Sequence, residues 1–121
     1  MKKLVALFVV AILGFTSYAQ TAKVEGTPAT MKENVQQGVF TFEMPSSASS
    51  DEIKRTTSYY VDYFTVDFNA DTKTAKIKMI DNSPEGRRVV TRFLLSNKVS
   101  IIEFNSEEYK ITEFYDNFMK N

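Results

Sequence analysis

Cysteine, histidine and tryptophan are absent from all 121 residues. Without cysteine there is no disulfide and no thiol nucleophile, so stability rests on packed side chains. An N-terminal lipid has no cysteine to attach to. Without histidine the chain lacks the one side chain that ordinarily titrates near neutrality, and the usual soft-metal ligands are gone together. An excess of one charge is missing too. Lys and Arg number 15 and Asp and Glu 15, a balance that argues against a polyanion or a strongly charged membrane surface as partner. No cofactor, no nucleic acid and no catalytic residues are expected on these grounds.

A membrane-length apolar run is also lacking. Leu4 to Phe15 is apolar but spans about a dozen residues, short of the roughly twenty that a bilayer requires. It follows the basic pair Lys2 and Lys3 and precedes Ser17-Tyr18-Ala19, the small-x-small pattern of a cleaved export signal. Residues 1–19 are therefore read as a signal peptide, and the working chain as an exported protein of a Gram-negative periplasm or the medium, with no stable membrane insertion. Loss of Lys2 and Lys3 leaves 13 basic and 15 acidic residues, a net of −2.

What remains is one small domain's worth of chain with abundant Phe and Tyr for a core. Residues 20–38 are small and polar, with Gly26, Pro28 and Gly38, and read as a flexible lead-in. From Val39 the periods become regular. Val39–Met44 alternates as a strand ended by Pro45. Ser49 and Glu52 form a capping box, followed by Ile53, Thr57, Tyr60, Val61 and Phe64 on one helical face. Phe64–Phe68 and Ala75–Met79 read as strands joined by the polar turn 69–74. Ser83-Pro84-Glu85 opens a second helix with Val89, Val90, Phe93 and Leu94 on its buried stripe. Val99–Phe104 reads as a strand, and Tyr109–Phe114 has the composition of a further one. The order β-α-β-β-α-β over 39–121 is the split, ferredoxin-like α+β pattern, two helices on one face of an antiparallel sheet.

The segment Met44-Pro45-Ser46-Ser47-Ala48-Ser49-Ser50-Asp51-Glu52-Ile53 resembles the loop of the heavy-metal-associated domain family. That family carries Met-x-Cys-x-x-Cys between its first strand and first helix, with an aliphatic residue four positions on. Met44 and Ile53 stand at the matching positions, while Ser46 and Ser49 replace both cysteines. The resemblance implies the ferredoxin-like fold. A serine hydroxyl stays protonated and hard, so the family's soft-metal chemistry is not carried over. An alternative keeps a metal role through methionine and oxygen ligands around Met44.

Other patterns have plainer readings. Asp67-x-Asn69-x-Asp71 opens like a calcium loop but lacks its glycine and its closing glutamate, and reads as an Asx-rich hairpin turn. Glu107 and Glu108 read as solvated turn residues. Arg87, Arg88 and Arg92 read as one solvated basic helix side. Tyr59 and Tyr63, spaced i, i+4, form a candidate protein-contact patch, because tyrosine is enriched at interfaces. The function expected is thus a small non-catalytic interaction module whose partner is another envelope protein or a second copy. An enzyme built on Tyr, Lys and carboxylates is the further alternative, with no spacing that specifies it.

Overall fold

The computed structural model describes residues 20–121; the export signal read at 1–19 lies outside them. Six strands form one sheet: β1 Gln20–Val24, β2 Val39–Glu43, β3 Phe64–Asn69, β4 Thr74–Met79, β5 Val99–Phe104 and β6 Glu107–Lys110. The helices are α1 Pro28–Gln37, α2 Ser50–Thr57 with a 3₁₀ turn at Ser58–Tyr60, α3 Pro84–Ser96 and α4 Ile111–Phe114, which continues through a wider turn at Tyr115–Met119. The sheet order is β3-β4-β2-β1-β5-β6.

β2, α2, β3, β4, α3 and β5 follow the chain order of the split pattern, with β4 antiparallel between β2 and β3, but β5 does not neighbour β2. The α+β architecture, broadly ferredoxin-like, therefore stands, but it carries additions. Strand β1 lies between β2 and β5, antiparallel to the first and parallel to the second. Residues 20–38, expected as a flexible lead-in, supply this central strand and helix α1. The signal is faint because the strand buries only two small side chains, Ala22 and Val24. Helix α1 likewise buries only Met31 and Val35. Its ends are nevertheless written in the chain. Thr27 caps it reciprocally with Thr30, Pro28 opens it, and Gly38 closes it at φ 73°, a conformation that suits glycine.

Strand residues alternate between a buried face and an open one. Phe40, Phe42, Phe64, Ala75, Ile77, Ile102 and Phe104 pack beneath the helices, with Phe64 edge-on to Phe93 at 5.7 Å between centroids. Thr41, Glu43, Thr65, Asp67, Lys76 and Lys78 lie on the open, polar face, as an antiparallel sheet permits. Helix α3 approaches closely through Gly86, where a Cβ would fall 2.0 Å from the Asp81 carbonyl oxygen.

Three further differences have local causes. Helix α2 stops at Thr57, so Val61 is exposed and not on a buried stripe. Thr56, Thr57 and Ser58 each turn a hydroxyl back onto a carbonyl of α2, at 2.6–3.1 Å, and such bonds compete with helix continuation. The chain after β6 is helical from Ile111, not a strand to Phe114. Phe114 and Phe118 stack there on Phe104 and Tyr109 with centroids 4.9–6.4 Å apart, an aromatic cluster that needs a helix to deliver two rings one turn apart. Finally, Arg87 is not on the solvated side of α3. It is buried and donates to the carbonyls of Met119 (2.6 Å), Lys120 (2.9 Å) and Asn82 (2.5 Å) and to Asn82 Oδ1 (2.9 Å), anchoring the C-terminal turn.

Candidate functional site

The loop between β2 and α2 is held by its own bonds. Met44 is buried, and its N–H donates to the Lys73 carbonyl at 2.7 Å. Ala48 N–H donates to the Pro45 carbonyl at 2.9 Å, and Lys73 Nζ to the Ala48 carbonyl at 2.8 Å. Ser49 is the N-cap, its hydroxyl accepting from Glu52 N–H at 3.2 Å. Ser46 is exposed. The positions matched to metal ligands therefore supply a core side chain, a turn and a cap. Among the described residues no group of three or more His, Cys, Asp or Glu is placed to hold a metal ion. Met31 and Met119 are buried in the core, as is Met44.

Beside this loop lies a cleft of about 290 Å³ lined by Gln20, Ser47, Glu52, Asn97 and Lys98. Ser47 Oγ donates to Gln20 Oε1 at 2.5 Å. Asn97 donates from Nδ2 to Thr56 Oγ1 and to the Phe93 carbonyl, both at 3.0 Å. It thereby ties the end of α3 to α2.

Tyr59 and Tyr63 do not share a helix. Tyr59 stands on the 3₁₀ turn and Tyr63 in the turn entering β3. Both reach solvent, Tyr59 at 64% exposure and Tyr63 at 37%. Glu52, Arg55 and Tyr59 make a surface chain: Arg55 pairs with the Glu52 carboxylate and donates from Nη1 to Tyr59 Oη at 3.1 Å. The bond from Arg55 holds the Glu52 carboxyl below its ordinary pKa, against a smaller desolvation effect. The same partnership raises Arg55. Tyr59 is thus held beside Arg55, whose guanidinium carbon lies 5.9 Å from the ring centroid.

The large apolar side chains exposed among the described residues are Tyr59, Val61, Tyr63, Ile80 and Leu95. All but Leu95 gather where α2 runs out and β3 begins. Ile80 N–H donates to the Tyr63 carbonyl at 2.8 Å, which joins the two turns at that end of the sheet. No protein-family model matches the chain, and no curated protein or solved structure matches it significantly. The patch must therefore be read from its own chemistry.

Alongside the patch, α2 and β3 bound a groove of about 380 Å³. Its walls are Ser50, Ile53, Lys54, Thr57 and Ser58 on the helix and Val66, Asp67 and Phe68 on the strand. At Tyr63, the basic residues Arg88 and Arg92 of α3 line a hollow of about 270 Å³ with Glu85 and Val89. Sequence reasoning singled out the two tyrosines but not Val61, Ile80 or the groove. Whether an apolar residue faces a neighbour strand or solvent depends on which strand is the sheet's edge, and sheet order is not written in local periodicity.

Proposed function

We propose that this chain is a small exported interaction module, non-catalytic, that binds another protein through the end of the sheet where Tyr59, Val61, Tyr63 and Ile80 are exposed. The gathering of these four side chains carries the reading. A protein leaves large apolar groups scattered singly without consequence, whereas a local concentration rimmed by charge marks a contact surface. Export rests on the basic head, apolar run and Ser17-Tyr18-Ala19 of residues 1–19. In this reading the Met44–Ile53 loop is a heavy-metal-associated-like loop turned to structural use, with serines at the thiolate positions, and no metal is part of the activity. No helix among the described residues is long and apolar enough to cross a membrane.

Two measurements test the proposal. N-terminal sequencing of protein recovered from the periplasm or medium is expected to begin at Gln20; an intact Met1 in a cytoplasmic fraction contradicts export. Crosslinking in the envelope is expected to trap the same defined protein with the wild-type chain and to lose it with the double variant Val61→Asp/Ile80→Asp. Equal trapping by both chains contradicts the assigned surface.

A further inference from the structure

The free edge of the sheet runs beside the proposed contact surface, and its chemistry narrows the partner. Strand β3 pairs with β4 alone. In this antiparallel pair Ile80 N–H bonds the Tyr63 carbonyl, while Met79 N–H bonds Gly38 on the other side of β4. Antiparallel bonding alternates along a strand. Thr65, Asp67 and Asn69 are thus the β3 residues bonded to β4, and the N–H and C=O groups of Val66 and Phe68 point to the open edge. The side chains of Val66 and Phe68 lie half-buried on the helix face and form the floor of the α2–β3 groove with buried Ile53.

An open strand edge beside an apolar groove is the geometry that accepts an added strand. Main-chain bonds hold such a strand, and alternate side chains enter the groove. Charge tells which strand fits. Lys54 stands on the groove wall, and Arg88 and Arg92 line the hollow at Tyr63. The ion pairs among the described residues are Lys23–Glu25 and Glu52–Arg55, so these three cations have no ionic partner. Asp67 is the one acid on the groove, and its side chain belongs to the opposite, open face; Glu85 shares the hollow with Arg88 and Arg92, which leaves that hollow one positive charge in excess.

We infer that the groove between α2 and β3 binds an extended segment of a partner protein, with apolar residues at alternate positions and acidic residues at its ends. The segment adds to β3 as a seventh strand. The apolar side chains lie on Ile53, Val66 and Phe68. The acidic ends meet Lys54 on one side and Arg88 and Arg92 on the other, and neutral residues fall opposite Asp67. This inference rests on the interaction reading above and names its site and ligand chemistry.

The test uses ¹⁵N-labelled protein purified after export and a synthetic probe, Glu-Glu-Val-Thr-Val-Thr-Val-Glu-Glu, followed by NMR titration. Shifts are expected at Ile53, Lys54, Val66 and Phe68. The probe with N-methylated valines, unable to donate to the edge, is expected to bind about tenfold more weakly. Replacing its glutamates with lysines is expected to weaken it by a similar factor, and Lys54→Glu to weaken the original probe about threefold. Lys54 is an exposed helix residue, and the peptide controls leave the protein intact. The inference is overturned by shifts centred on the open face around Thr41 and Lys76, by equal binding of the N-methylated or lysine probes, or by β3–β3 self-association that excludes the probe. If the probe fails while Val61→Asp/Ile80→Asp still abolishes crosslinking, the groove assignment falls and the interaction reading survives.

Discussion

Single residues show where polar groups hold a core that has no disulfides. Arg87 is the clearest. The residue is 6% exposed, and its guanidinium satisfies four oxygen contacts across Asn82, Met119 and Lys120. Arg87→Met keeps the stem but orphans those acceptors. Relief of a buried charge offsets part of the loss, so a net destabilisation of about 2–3 kcal/mol is expected, seen as a lower urea midpoint at unchanged slope. Tyr115 is a second such residue: its hydroxyl donates to the Pro84 carbonyl at 2.7 Å. Burial pushes its phenol up, with Arg88 and Arg87 pulling the other way. The folded state therefore holds the proton longer than the unfolded one. Its contribution is fully present below the ordinary phenol value of about 10 and is lost as pH rises from there through the raised value. Alkaline unfolding monitored by circular dichroism is expected to be less steep for Tyr115→Phe than for wild type above that point. Three arginines in six residues of helix suggest an exposed basic side, and nothing local to Arg87 marks it as buried. Only the later placement of the C-terminal turn gives it partners.

Elements were legible in proportion to how much apolar surface they bury. The strands β2, β3 and β4 and helix α3 follow plain periods of two and 3.6, and the helix caps, Ser49 of α2 and Ser83 of α3, are placed as the spacing indicates. Strand β1 gives no sequence signal, and α1 shows only as a weak turn of helix around Met31 to Val35, because two small strand residues and a two-residue helix stripe leave almost no period. The hairpin between β5 and β6 shows a subtler device. Asn105 and Ser106 both take positive φ, at 54° and 68°, the two-residue turn that matches strand twist. Asn tolerates this conformation, whereas serine is strained by it. Ser106→Gly removes that strain at some cost in unfolded-state entropy, for an expected net gain of about 0.5–1 kcal/mol, measured as a rise in Tm. The turn at 69–74 is an Asx turn as read: Asn69 Oδ1 accepts from the N–H groups of Asp71 and Thr72 at 2.9 and 3.2 Å.

At the scale of the whole molecule, β1 inserted between β2 and β5 and β6 added beyond β5 widen the four-stranded split pattern to six strands, and the two edges are unlike each other. β6 is four residues long and carries Glu107 and Glu108, features that discourage pairing. β3 is six residues long and uncharged at Val66 and Phe68, and it stands beside the groove and the exposed apolar patch. Sheet order makes this asymmetry, which is why the contact surface was only partly visible in sequence: the tyrosines drew attention, the edge did not. Amide hydrogen exchange along β3, in dilute protein, tests the account most directly. Thr65 and Asp67 are expected to exchange slowly and Val66 and Phe68 rapidly, with the latter two slowing when the acidic valine–threonine probe is added. Equal protection of all four amides before any probe is added would show the edge already covered, and would contradict it.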